Sequence, residues 1–309
     1  MRSPRRSSAR AVGTSGRGRA WLLPLFLLSP ALILLLGIVA YPIGRAIWLS
    51  FHRVEILRPD LTQNVGFDHY RGLLQDPVIR IALGNSAVWV VGVVIFQFLG
   101  GLVGALILNR RFLGRAAVRG LALIPWATPS VLVALMWTWM LDGNYGLIND
   151  LLVKAGILSR FQPWLAQPWS ALPAVMLADV WQGIPFFAVM LLAALQAIPE
   201  DLFEAARIDG ASTWRVFLHV TLPLLVPTIL ITTMLRMIWT ANYMDLIMIM
   251  TGGGPGYSSL TVPLHAYYMA YKRLDFGYGA TIAIVQVAIL AAAIVVYLRQ
   301  LRRSEVMIQ

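Results

Sequence analysis

The chain has 309 residues, of which 59% are hydrophobic and only 13% are charged, and its formal net charge is +11. The charged fraction is about half of the roughly 25% found in soluble domains, and the apolar residues come in long blocks, which excludes a soluble globular protein. Cysteine is absent, so a disulfide framework, a thiol nucleophile and a cysteine-ligated zinc site are excluded as well.

The first twenty residues form a basic segment with six arginines and no acidic residue. This composition, with Ser and Gly between the arginines, is typical of a disordered tail. A cleaved signal peptide is the alternative, but the apolar run that follows is longer than usual and contains Pro24 and Pro30. We therefore expect a tail at residues 1–20 and a retained first span.

Six windows of about 20 mainly apolar residues predict membrane-spanning helices. The predicted spans cover residues 21–43, 85–108, 120–141, 171–195, 222–244 and 278–298. The expected fold is therefore an all-α polytopic membrane protein, with a six-span domain at residues 21–298 and a C-terminal tail at residues 299–309.

The basic residues predict the orientation of these spans. If the N-terminus is cytoplasmic, the inside segments hold fifteen arginines, whereas the outside segments hold eight lysines and arginines. The bias favours cytoplasmic N- and C-termini. The same bias accounts for the net positive charge, which we interpret as setting the orientation in the membrane and attracting anionic lipids. A nucleic-acid surface is not indicated, since no aromatic residues alternate with the basic ones on a soluble face.

A polar stretch at residues 199–223 separates the fourth and fifth predicted spans. Pro199 and the two acidic residues after it suit a helix start, and Gly210 suits a helix end. Ser212 or Thr213 can cap a second helix. We expect two helices joined at a glycine corner, on the cytoplasmic side.

This stretch resembles the EAA loop of ABC importer permeases. The resemblance is carried by Glu204-Ala205-Ala206, by Gly210 after three intervening residues, and by Val220-Thr221-Leu222-Pro223 after nine more intervening residues. Val220 keeps the β-branched shape of the usual Ile. It implies that the loop, residues 199–223, fits a cleft on a separate ATP-binding subunit. The implied coupling residues are Glu204, Ala205, Ala206, Asp209, Gly210, Leu222 and Pro223. For Glu204, the alternative is a local pair with Arg207.

The sequence predicts no nucleotide, metal or catalytic site on this chain. A P-loop requires a lysine after a glycine, and neither Lys154 nor Lys272 has one. The four histidines lack metal-ligand spacing, and no nucleophile motif or pair of carboxylates within one span is present. We expect no cofactor here, with ATP and Mg²⁺ bound by a partner subunit.

Polar residues inside the predicted spans mark a candidate pathway, because such residues are costly in hydrocarbon. In span four, Gly183 and Pro185 weaken the helix beside Gln182, which suits a bend lining a cavity. In span five, one helical face combines polar and aromatic residues, namely Arg236, Trp239, Thr240 and Tyr243. Aromatic rings pack on the C–H faces of sugars, and amides and hydroxyls bond sugar hydroxyl groups.

Further segments resemble the maltose-type permeases of carbohydrate importers. They are Tyr41-Pro42, Gly66-Phe67-Asp68-His69-Tyr70, Asn85-Ser86, Asn242-Tyr243-Met244-Asp245 and Met250-Thr251-Gly252-Gly253-Gly254-Pro255. The resemblance implies substrate contacts at Gln182, Gly183, Phe186, Trp239, Thr240 and Tyr243, although the aromatic rings could instead pack between helices. It also implies a bacterial inner-membrane complex with a second homologous permease, two ATP-binding subunits and an extracytoplasmic solute-binding protein.

Arg236 has two interpretations. It can form an ion pair with Asp179 or Asp245, which we favour, or it can face an anionic cargo such as a sugar phosphate, a sulfosugar or a uronate. Permeases for glycerol phosphate, amino acids or peptides share the EAA loop and remain alternatives. A secondary transporter is a weaker one, because no internal repeat is evident.

Overall fold

The computed structural model describes residues 22–54 and 62–306, which are almost entirely helical. The basic tail predicted for residues 1–20 lies outside the described residues. The first span is a continuous helical run formed by α1 (Leu22–Leu35), a π-helical segment (Leu36–Ala40) and α2 (Tyr41–Ser50). A two-residue antiparallel ladder of β1 (His52–Arg53) and β2 (Gln63–Asn64) and the short helix α3 (Asp68–Gln75) follow.

The second span, α4 (Pro77–Asn109), begins eight residues before its predicted start. Asp76 caps this helix by accepting a hydrogen bond of 2.8 Å from the Val78 amide, and Pro77 suits the first turn. At 1.5 Å per residue, 33 residues extend roughly 50 Å, which exceeds the ~30 Å hydrocarbon core. The hydropathy window detected only the apolar part of a helix that continues beyond the membrane.

The third span is bent, so the single helix expected at residues 120–141 is wrong. It consists of α5 (Arg115–Ala122), α6 (Ile124–Ala127) and α7 (Ser130–Met140), and the two halves meet at 92°. The break lies at Thr128, whose backbone is extended (ψ 129°) because Pro129 follows it. The helix α8 (Leu147–Lys154) comes next.

The fourth span, α9 (Ala171–Gln196), runs through Pro185 without interruption, contrary to the expected weakening at that point. Pro185 is buried among neighbouring helices, an environment that tolerates proline within a span. The chain then forms α10 (Glu200–Ile208), α11 (Thr213–Val216), a π-helical segment (Phe217–Thr221), α12 (Leu222–Asn242) and α13 (Asp245–Met250).

The last described elements are α14 (Val262–Tyr267), a π-helical segment (Tyr268–Lys272) and α15 (Phe276–Val306). The final helix continues eight residues past the predicted end of span six. Five helices in the described part are long and apolar enough to cross a membrane, and the count is six when the two halves of the bent pair are taken as one span. Counted in this way, the apolar helices agree with the six predicted spans in number and order.

Close packing of α4 against α9 forms the centre of the molecule. A Cβ atom on Gly101 would overlap the Phe187 Cβ and lie 2.9 Å from the Ala188 backbone nitrogen. Gly100 similarly faces Ile184, at 2.8 Å from its Cδ1 to a built Cβ. Small residues at these positions allow the two backbones to approach each other, as in other membrane helix pairs.

Candidate functional site

A buried polar cluster, formed by Gln97, Asp179 and Arg236, joins α4, α9 and α12. Arg236 Nη2 lies 3.3 Å from Asp179 Oδ1, and Arg236 Nε donates a 2.8 Å hydrogen bond to Gln97 Oε1. Gln97 Nε2 in turn donates to the Asp179 backbone carbonyl at 2.7 Å and to Oδ1 at 3.3 Å. The opposite charges are therefore paired, which reduces the cost of burying each of them.

Asp245, the other carboxylate considered as a partner of Arg236, lies elsewhere. It opens α13, and its Oδ2 accepts a 3.1 Å hydrogen bond from the Ser130 hydroxyl of α7. The ion pair of Arg236 is thus made with Asp179. Asp245 connects the end of span five to α7, the second part of span three.

A cavity of about 250 Å³ opens beside this cluster. Arg236, Trp239, Thr240 and Tyr243 all line it, as their helical spacing predicts. Asp179, Gln182 and Trp126 complete the wall. Thr240 Oγ1 and Asp179 Oδ2 are buried without a hydrogen-bond partner among the described residues, so two polar atoms remain available here.

Gln182, Gly183 and Phe186 occupy three different positions relative to this cavity. Gln182 Nε2 donates to the Thr128 carbonyl at 3.0 Å, and its Oε1 accepts from the Tyr243 hydroxyl at 3.1 Å. Gly183 lies against the cluster, since a Cβ there would overlap the Gln97 amide and come within 2.6 Å of Arg236 Nη2. Phe186 is buried behind the wall.

Phe186 supports the aromatic part of the wall rather than lining the cavity. Its ring packs against Trp239, with centroids 5.3 Å apart, and against Trp126 at 6.1 Å. Such tilted and edge-on contacts fix the orientation of both tryptophan rings.

Sequence reasoning did not identify Gln97 and Trp126. Gln97 had a usable signal, because it is an amide inside a long apolar helix. Trp126 had none of its own; it reaches the cavity because span three is broken two residues later.

Residues 199–223, the stretch that resembles the EAA loop, form the predicted helix, glycine corner and second helix. α10 ends at Ile208, Gly210 adopts a left-handed conformation with φ of +75°, and Ser212 Oγ accepts the Arg215 amide at 3.4 Å. Glu204, Ala205, Asp209 and Gly210 are exposed, and Ala206 is half-buried. Leu222 and Pro223 open α12, so the loop is directly continuous with span five. Among the described residues, no ion pair joins Glu204 to Arg207.

Comparison with known proteins identifies the family. A model of the binding-protein-dependent transport system inner membrane component matches residues 97–304. The chain belongs to this family. A sulfoquinovosyl glycerol transport system permease of Agrobacterium fabrum is 35% identical over 284 residues, 92% of each chain. A trehalose/maltose transport system permease of Thermococcus litoralis is 36% identical over 273 residues, 88% of this chain and 91% of the relative.

Solved structures show the same family fold. A chain of a bacterial ABC transporter that imports the acidic polysaccharide alginate superposes with a TM-score of 0.78 at 23% identity, covering 93% of this chain and 96% of that one. Family, fold and helix content together identify a multi-pass permease subunit of an ABC importer, which is a transport component.

Proposed function

We propose that this permease imports sugars or close sugar derivatives through the cavity beside the Gln97–Asp179–Arg236 cluster. The observation that carries the proposal is the wall of that cavity, where Trp126 and Trp239 stand next to amide and hydroxyl groups. A flat aromatic surface beside hydrogen-bonding groups matches the two kinds of surface that a sugar ring presents. The relatives named for trehalose, maltose and sulfoquinovosyl glycerol support the same class of cargo.

The charge balance of the cavity favours a neutral cargo. Arg236 is the basic residue of the wall, and Asp179 and Gln97 already engage its guanidinium group. An anionic sugar derivative is the second candidate, because Arg236 still lines the cavity and one relative is named for a sulfonated sugar glycoside.

We further propose that the EAA loop docks in a cleft of an ATP-binding partner and that Glu204 makes a charged contact there. The exposure of Glu204 and the continuity of the loop with α12 support this role. The full complex would contain two such ATP-binding subunits, which hold ATP and Mg²⁺, a second permease and a solute-binding protein. A solved alginate transporter of the same fold was captured with its periplasmic protein.

Uptake by the reconstituted importer tests the cargo proposal. Trp239→Ala should lower uptake of the cognate sugar about tenfold, equivalent to ~1.4 kcal/mol, since it removes one aromatic wall. Trp139→Ala, which alters an exposed tryptophan outside the cavity, is the control. A panel of neutral and anionic sugars with the cognate binding protein identifies the cargo. Equal loss in both variants would contradict the cavity assignment.

Cysteine labelling tests the proposed cytoplasmic position of the loop and termini. The natural chain has no cysteine, so single cysteines can be introduced directly. Ala211→Cys should react with a membrane-impermeant maleimide only after the cells are opened. Leu74→Cys, on the proposed outer side and 78% exposed, should react in intact cells. Labelling of Ala211→Cys in intact cells would refute the orientation.

A further inference from the structure

A second polar cavity, of about 540 Å³, lies where the ends of α4 and α9 meet the coupling helix α10. Three arginines line it: Arg111 from the loop after α4, Arg115 at the start of α5 and Arg207 from α10. Glu200 is its acidic residue. The cavity therefore carries an excess of positive charge at the end of the spans that the proposed orientation places in the cytoplasm.

The positive charge of this cavity is not neutralised within the described part of the chain. None of the ion pairs found there includes Arg111, Arg115 or Arg207. Arg115 and its neighbour Arg119 instead converge on the side-chain oxygen of Gln196, at 2.9 and 2.6 Å when the amide is oriented toward them. A neutral amide holds these side chains in place and leaves their charge available.

The cavity wall and the two helices that lead to it also carry apolar side chains. Leu195, Ile198 and Phe203 contribute to the cavity wall itself. Ile107, two residues before the end of α4, is 54% exposed, and Leu121 of α5 is 63% exposed. A ligand with a phosphate and hydrocarbon chains would match the arginines with its head and these exposed side chains with its tail.

We propose that this cavity binds the phosphate of an anionic phospholipid headgroup from the cytoplasmic leaflet. Guanidinium groups bind phosphate oxygens through paired N–H donors, and basic residues at this depth attract anionic lipids. The site is on the cytoplasmic side only if the proposed orientation is correct. Free phosphate shares the same chemistry but would gain nothing from the adjoining apolar surface.

Occupancy of the site would connect two elements that the chain joins only distantly. The phosphate would lie between the loop at residues 109–115 and α10, which carries Phe203 and Arg207 on the cavity side. Anionic lipid would thereby hold the coupling helix against the end of α4. The EAA loop would then have a bound lipid as a positioning ligand in addition to any protein partner.

Titration of the detergent-solubilised full-length chain with phosphatidylglycerol or phosphatidylcholine, followed by native mass spectrometry, tests the proposal. Phosphatidylglycerol should be retained in preference to phosphatidylcholine. Arg111→Gln and Arg207→Gln should each weaken its binding about fivefold. Arg110→Gln is the matched control, because Arg110 is an exposed neighbour that does not line the cavity. Glu200→Gln should strengthen binding.

The outcomes separate the alternatives. Loss in the two cavity variants, with retention in Arg110→Gln, supports the site. Equal loss in Arg110→Gln would reduce it to general surface charge and overturn the proposal, as would retention in all variants. Displacement of the lipid by low millimolar inorganic phosphate would assign the site to free phosphate and overturn the lipid assignment. The binding readout is independent of transport, so it does not depend on the cargo proposal.

Discussion

Arg236 on α12 and Asp179 on α9 form an ion pair of 3.3 Å inside the membrane domain, with Gln97 of α4 bonded to both. Asp179 is only 1% exposed. Arg236→Met would leave the Asp179 carboxylate buried without a counter-charge, which should lower the free energy of unfolding by about 3–5 kcal/mol. Thermal and SDS unfolding of the purified chain should show this loss of stability, whichever cargo the importer carries.

Two further variants test the explanation by charge. Arg236→Met combined with Asp179→Leu should recover much of the stability, because neither charge then remains buried alone. Trp239→Met, one turn along the same cavity wall, should cost far less. Normal stability of Arg236→Met, together with selective loss of anionic cargo, would show that Arg236 serves substrate recognition instead.

Gly101→Ala should destabilise the α4–α9 pair. The added methyl group would overlap the Phe187 Cβ, and overpacking of this kind costs about 1–3 kcal/mol. Gly84→Ala is the matched control, because Gly84 lies in the same helix with nothing within 4 Å of a built Cβ. It should be neutral or stabilising, since alanine favours helix by up to ~1 kcal/mol. SDS unfolding that ranks the two variants equally would contradict the packing argument.

Glu204→Lys should abolish the stimulation of ATPase activity by loaded binding protein while membrane insertion stays normal. The exposed side chain has no ion pair among the described residues, so its reversal should not unfold the loop. Asp201→Lys, one turn earlier in the same helix, is the control and should retain more stimulation. Wild-type stimulation in Glu204→Lys would remove this residue from the coupling contact.

Gly210→Ala should impair coupling through backbone strain. A left-handed conformation costs an alanine roughly 1–2 kcal/mol, whereas asparagine adopts it more readily. ATPase stimulation should therefore fall in Gly210→Ala and be partly retained in Gly210→Asn. Gly114→Ala places the same strain at a φ of +80° outside the EAA loop and should leave stimulation largely intact. If Gly114→Ala proves equally uncoupled, strain at Gly210 has no special role.

Asp76→Ala should lower the free energy of unfolding by about 1 kcal/mol at neutral pH, because Asp76 caps α4. Burial raises the pKa of Asp76, but hydrogen bonds from the Val78 amide and the Tyr278 hydroxyl, with the nearby His265, outweigh it and lower the pKa overall. The stabilisation is thus complete above the ordinary pKa and is lost as the pH falls through the lowered one. When unfolding is measured at several pH values, the difference in free energy of unfolding between the wild type and Asp76→Ala should become smaller below about pH 4.

Asp68→Ala is the matched control for this pH series. Asp68 also lies in the first turn of a helix, but its pair with Arg71 is exposed at a distance of 3.5 Å. Exposed pairs contribute little, so this variant should change stability by a few tenths of a kcal/mol at most. If the stability difference between the wild type and Asp76→Ala stays constant down to acidic pH, the ionised form of the Asp76 side chain is not the stabilising one.

Features decided by neighbours in the chain could be predicted from the sequence. The glycine corner at Gly210 follows from local conformational preference, and the shared face of Arg236 and Tyr243 follows from helical spacing. The bend of span three was missed because a hydropathy window averages over Thr128 and Pro129. The Gln97 contacts and the choice of Asp179 over Asp245 depend on how α4, α9 and α12 pack, which no local pattern encodes.

The right-angle elbow in span three changes how this part of the molecule can move. The Thr128 carbonyl, released from regular helix bonding by the proline that follows it, accepts a hydrogen bond from Gln182, which also holds the Tyr243 hydroxyl. Rotation of α7 about this joint melts no helical turn, because the backbone at Thr128 is already non-helical. A shift of α9 therefore reaches the elbow and the end of α12 together, through a single amide group.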